Sequence, residues 1–188
     1  MSWSHRPPEV DLAQLDDLPA LQQIVAGSVR QLSRGYYSEQ QIESALRYVF
    51  GIDSTLITDQ TYFVARIDQQ IAGCGGWSRR NRLYGGDQHA SSTSDMLDSA
   101  VDPARIRAFF VVPDYARRGV ASALYRRSAQ AARDAGFSRL ELAATLPGVP
   151  FYERVGFVAI EHVNDRLPDG CDIPFVRMQR SIGSARIG

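Results

Sequence analysis

The fourteen residues from Val111 to Leu124, VVPDYARRGVASAL, change character twice. They open as the end of a buried apolar run, which Pro113 stops because proline offers no N–H to a strand ladder. Arg117, Arg118 and Gly119 follow, and an Ala-rich helix begins directly after them. A helix N-terminus leaves about four backbone N–H groups without internal partners. The macrodipole adds partial positive charge there, which suits a phosphate. Gly119 and Ala121 remove bulk, so an anion can approach the main chain, and Arg117 and Arg118 add attraction at longer range. The junction has the parts of a pyrophosphate cradle; taken alone, it is equally a helix start with solvent-facing arginines. The chain holds no G-x-x-x-x-G-K-[ST] and no G-x-G-x-x-G opening an N-terminal βαβ unit, which excludes two common phosphate loops.

Outward from the junction, the elements alternate between strand and helix patterns. Upstream, RIRAFFVV (105–112) is apolar at nearly every late position and reads as a strand buried on both faces. TYFVARIDQQIAGCGGWS (61–78) reads as a hairpin about the polar turn Asp68–Gln70. Gly73, Gly75 and Gly76 in its second strand predict a bulge or a close backbone approach. Before it lie a brief strand and two helices, the first with Leu21, Ile24, Val25 and Val29 at helical spacing, the second capped by Ser38. Between these helices is a turn with Tyr36 and Tyr37, and residues 79–104 read as a long polar loop. Downstream, Val120, Leu124, Ala131 and Ala135 share a helix face that Gly136 stops. SRLELAA, a short helix in PGVPFYERVGF, FVAIEHV and DIPFVRMQR complete the order β-α-α-β-β-β-α-β-α-β-β.

At 188 residues, 44% apolar and 22% charged, the chain reads as one soluble domain spanning 1–188. Its 21 acidic and 21 basic residues balance, so overall charge favours neither nucleic acid nor an anionic membrane. Every basic residue is arginine, which excludes a lysine nucleophile or Schiff base. Cys74 and Cys171 form no metal-ligand spacing, and His5, His89 and His162 are far apart, so no metal site is expected. A reduced cytoplasmic setting is the simpler reading than a lone disulfide. No stretch approaches the ~18 apolar residues of a membrane span, and the N-terminus has no apolar signal core.

Two motifs together resemble the GNAT superfamily of N-acetyltransferases: FFVVPDYARRGVASAL (109–124) and RLELAATLPGVPFYERVGF (139–157). The superfamily signature [RQ]-x-x-G-x-[GA] falls on Ala116 to Ala121; Gly119 and Ala121 match, while Ala116 departs from the usual Arg or Gln. The resemblance implies an α/β fold with a mixed, mostly antiparallel central sheet flanked by helices and a splay between its fourth and fifth strands. It implies acetyl-CoA as co-substrate, held at the pyrophosphate by main-chain groups of Arg117, Arg118, Gly119, Val120, Ala121 and Ser122. The backbone of Phe110, Val111 and Val112 would pair with the pantetheine arm like an added strand. Tyr152 occupies the position of the tyrosine that protonates the departing thiolate. A phenol near pKa ~10 stays protonated where a thiol near ~8.5 leaves, although a packing role explains that tyrosine equally well when its own stretch is taken alone.

The acceptor implied is a primary amine on a small molecule, with the protein a monomer or homodimer. A main-chain N–H at Val111 or Val112 would serve the oxyanion. The fourth strand offers Arg105 and Arg107 where many relatives place a glutamate base. Glu141, Asp87, His89, Asp95 or bulk water are the alternatives. Tyr36, Trp77, Arg79 and Arg107, with Tyr84, are the candidate acceptor residues, as an aromatic wall with charge beside a loop. The competing reading is a non-catalytic coenzyme A sensor or partner-binding module on the same fold.

Overall fold

The chain runs β1 (Glu9–Leu12), α1 (Leu18–Leu32), α2 (Glu39–Tyr48), α3 (Ser54–Thr58), β2 (Tyr62–Ile67), β3 (Gln70–Ser78), β4 (Ala104–Val111), α4 (Val120–Asp134), β5 (Arg139–Thr145), α5 (Val149–Arg154), β6 (Val158–Arg166) and β7 (Asp172–Ser181). These elements come from a computed structural model, which describes residues 7–89 and 95–183. The expected order holds, with the five-residue α3 as the addition. Its start is fixed by Asp53, whose carboxylate accepts from Thr55 N–H at 3.1 Å. Ser38 caps α2 as its sequence predicts: its hydroxyl accepts from Gln41 N–H while the Gln41 side chain accepts from Ser38 N–H. Asp68 and Gln69, both with positive φ, make the tight turn between β2 and β3.

The strands form one sheet in the order β1-β2-β3-β4-β5-β7-β6. All neighbours are antiparallel except β4 and β5, which run parallel. That parallel ladder holds only Ala104 opposite Leu140 and Arg105 opposite Glu141. Beyond it the two strands part, and this is the splay. On its other side β4 carries a bulge: Arg107 to Phe110 spans three steps against two from Gly76 to Cys74 on β3. Ala108 takes a left-handed φ of 52° there, and Tyr62 donates its hydroxyl to the Ala108 carbonyl at 2.7 Å. Gly75 is needed opposite the bulge, because a Cβ on it would overlap the Phe109 ring.

Strand alternation divides the apolar residues between two faces. One core packs α4 and α5 against Phe63, Ala65, Trp77, Ile106, Leu140 and Met178. The other packs α1, α2 and α3 against Tyr62, Val64, Cys74, Ile173 and Phe175. Tyr37 ties the second layer to the sheet, donating to Pro174 O at 2.7 Å and accepting from Leu146 N–H at 2.9 Å. The 79–104 segment is closed at its neck by an Arg80–Met96 bridge and by bonds from Asn81 N–H to Asp95 O and Leu97 N–H to Arg79 O. Among the described residues, no helix is long and apolar enough to cross a membrane.

Candidate active site in the splay

Where β4 and β5 part, a cavity of about 760 Å³ opens and takes lining from both layers. At one end is the turn entering α4. Arg117 and Gly119 both have positive φ, 63° and 83°, a backbone geometry found in anion-binding turns. Ala123 N–H is bonded to Gly119 O at 2.9 Å, which leaves the N–H groups of Val120, Ala121 and Ser122 as the unpaired start of the helix. A Cβ on Gly119 would meet nothing within 4 Å: the space above the turn is open. Arg117, Gly119, Val120, Ala121 and Ser122 all line the cavity. Arg118 does not; its N–H is bonded to Tyr115 O and its guanidinium lies over the Tyr115 ring, 5.0 Å from the centroid.

Further in, Phe110 and Val111 line the gap. Val112 N–H is bonded to Ala72 O at 2.9 Å and its carbonyl accepts from Tyr115 N–H, so neither group is available. Strand alternation turns Val111 N–H the other way, and there Ser28 Oγ of α1 accepts it at 3.3 Å. Tyr152 lines the cavity from α5, its ring edge-on to Phe151 and Phe157 and tilted against Phe109. Its hydroxyl makes no hydrogen bond among the described residues, and burial pushes its pKa well above the ordinary phenol. The sequence from residue 27 to 157, which contains β4, β5 and the turns that follow them, matches the acetyltransferase (GNAT) family.

The chain belongs to that family. Among solved structures, this acetyltransferase is similar to a GCN5-related N-acetyltransferase from Rhodopseudomonas palustris, at 19% identity and TM-score 0.70, with 97% of this chain and 100% of that one covered. It is also similar to the PaiA N-acetyltransferase of Thermoplasma acidophilum, crystallised with coenzyme A, at 14% identity and TM-score 0.62 over 94% and 99% of the two chains. A GNAT acetyltransferase of Brucella melitensis in complex with acetyl-CoA matches at 18% identity and TM-score 0.56 over 95% and 90%. No curated protein matches the sequence significantly. The open turn, the unpaired N–H groups and the cavity through the splay fit a coenzyme A thioester.

The far end of the acetyltransferase's cavity departs from the sequence reading. Tyr36 lies there, half exposed, with Leu32, Phe50, Tyr84, Phe110 and Phe175. Tyr84 stacks on Phe175, with ring centroids 5.2 Å apart, and donates its hydroxyl to Asp165. Trp77 and Arg79 do not line the cavity. Trp77 is buried on the α4 face, edge-on to Phe137, and Arg79 lies over its ring. Arg107 lines the cavity but is no solvent-reaching arm: its guanidinium donates to Asp53 (3.1 Å), Gly85 O (2.8 Å) and Arg82 O (3.2 Å). Burial lowers its pKa, and the Asp53 charge opposes that shift.

Three of the expected bases also lie off the cavity. Glu141 is buried between Arg105 (2.9 Å) and Arg177 (2.6 Å). Asp87 accepts from Ser54 N–H and hydroxyl, and Asp95 sits exposed at the loop neck. The side chain of His89, like His5, falls outside the described residues. Cys74 is a buried filler, its thiol pushed up to about 12 by desolvation. Ser28 is the residue sequence reasoning missed. A hydroxyl on the stripe of Leu21, Val25 and Val29 was the available signal, since a polar group on an apolar helix face needs a partner.

Proposed function

We propose that this acetyltransferase moves the acetyl group of acetyl-CoA to the primary amine of a small molecule by direct attack, with Tyr152 as general acid. Acetyl-CoA supplies an activated thioester. The amides from Arg117 and from Gly119 to Ser122 hold its pyrophosphate, and the open edge of β4 at Phe110 and Val111 holds the pantetheine arm. Val111 N–H and the Ser28 hydroxyl stabilise the oxyanion, as fixed donors in a water-poor site do. No side-chain base is needed: an amine entering this cavity is desolvated, which favours its neutral form, and water takes the proton.

One observation carries the reading: Tyr152 lines the same cavity as the α4 turn, with its hydroxyl unpaired among the described residues. Tyr152→Phe keeps the ring contacts and removes the proton. Turnover should fall by roughly 10²–10⁴-fold, as positioned acid catalysis does, with kcat and kcat/KM falling together. Coenzyme A affinity by calorimetry and the thermal midpoint should stay parental. Near-parental turnover at saturating acetyl-CoA would reduce Tyr152 to packing.

A further inference from the structure

None of the 21 acidic residues of the chain lines the cavity. Its charged lining consists of arginines: Arg107, Arg117 and Arg154. Two of these stand at the α4–α5 end, and Arg107 is bound to Asp53 and two carbonyls. The walls beyond Val111 are Leu32, Tyr36, Phe50, Tyr84, Phe110 and Phe175. The last four form one aromatic group. Phe50 meets Phe110 edge-on at 6.4 Å and Phe175 at 6.2 Å, while Tyr84 stacks on Phe175. Every acidic side chain of this sequence lies among the described residues, and none of them lines the cavity.

We infer that the acceptor is a monoamine with an aromatic or extended apolar body, and that polyamines and other multiply cationic amines are excluded. The inference rests on the acetyl-transfer reading above and names its substrate class. A cation enclosed by these walls without a carboxylate loses its hydration and gains only ring-face contacts in return. A monoamine escapes that cost, because the nitrogen that reacts must lose its proton in any case. A diamine must also lose its second proton or bury it. At pH 8 an ammonium of pKa ~10.4 lies more than two units above the solution, so that extra deprotonation disfavours the diamine by about 10²-fold. An aromatic body adds ring contacts with Phe50, Phe110 and Phe175 that a diamine cannot make.

The test compares thiol release from acetyl-CoA at pH 8 with 2-phenylethylamine, pentylamine and 1,4-diaminobutane. Expected kcat/KM falls in that order, with the first exceeding the last by about 10²-fold or more. A second arm uses Leu32→Glu, which sets a carboxylate at the partly exposed rim of the same end. It should narrow the ratio at least about tenfold by raising the diamine, since a paired ammonium no longer lacks a partner. A diamine as good as 2-phenylethylamine in the parent protein overturns the inference. So does an unchanged ratio in a Leu32→Glu protein of parental thermal midpoint. If none of the amines is acetylated, the transfer reading falls by itself. Calorimetric binding of the same three amines to the coenzyme A-saturated protein then decides the acceptor class on its own, by the same order.

Discussion

In the proposed reaction Ser28 is a second donor to the oxyanion, supplied from α1 rather than from the sheet. It sits on the buried face of α1 and accepts from Val111 N–H of β4, past the point where the β4–β5 ladder ends. At 3.3 Å that bond is longer than the usual ~2.9–3.0 Å of N–H···O, so a carbonyl entering the gap can take the amide in its place. The Ser28 proton then becomes a second donor to the same oxygen. Ser28→Ala should lower kcat by about 10–10²-fold, below the ~10²–10³ lost with a more rigid oxyanion donor. Coenzyme A affinity should not change, and the helix should tolerate the exchange because alanine is the better helix former. A rise in KM alone would make Ser28 a wall of the pocket rather than a donor.

At the scale of elements, the strand–turn–helix from β4 into α4 was legible because its signal is local. Pro113 ends a strand, Gly119 opens a turn, and neighbouring residues alone decide both. The same holds for the Ser38 cap and the β2–β3 turn. The partition of Arg117 from Arg118 was not legible: the turn's two positive φ values aim one side chain at the cavity and lay the other on Tyr115. The cradle itself can be tested by its backbone. Gly119→Asp places a carboxylate among the N–H groups that would hold the pyrophosphate, in space where a Cβ meets no protein atom. Left-handed backbone is tolerated by Asp better than by most residues, so the fold should persist. Coenzyme A affinity should fall at least tenfold, about 1.4 kcal/mol. Calorimetry showing parental affinity in a folded Gly119→Asp protein would move the phosphate elsewhere.

Across the whole molecule, what the sequence hid were contacts between distant segments. Trp77, expected at the acceptor site as an aromatic beside charge and a loop, is instead a core indole on the α4 face, a placement set by strand packing that its neighbours in sequence do not reveal. Arg107 could not be paired with Asp53 across 54 residues by any local rule. Yet that pair organises the far end of the cavity: it joins β4 to the residue capping α3, and Arg107 also grips the Arg82 and Gly85 carbonyls of the segment that carries Tyr84. Both side chains are almost wholly buried. Asp53→Ala would strand the Arg107 charge, at a cost of about 3–5 kcal/mol for a broken buried pair. At about 2–4 °C per kcal/mol for a chain of this size, the thermal midpoint should drop by about 6–20 °C. Replacing both partners with apolar residues, Asp53→Leu with Arg107→Met, removes the stranded Arg107 charge and should restore part of that loss, since Arg82 at 3.4 Å and the α3 cap still lose the Asp53 carboxylate. The double variant nevertheless loses the grip on Gly85, so the segment carrying Tyr84 is held less firmly, although Tyr84 still bonds Asp165 and stacks on Phe175. Its KM for 2-phenylethylamine should rise while coenzyme A affinity, set some distance away at the α4 turn, stays parental. A double variant as unstable as Asp53→Ala would show that the packing, not the charge pair, was at stake. Parental KM in a stable double variant would free the aromatic wall from any dependence on Arg107.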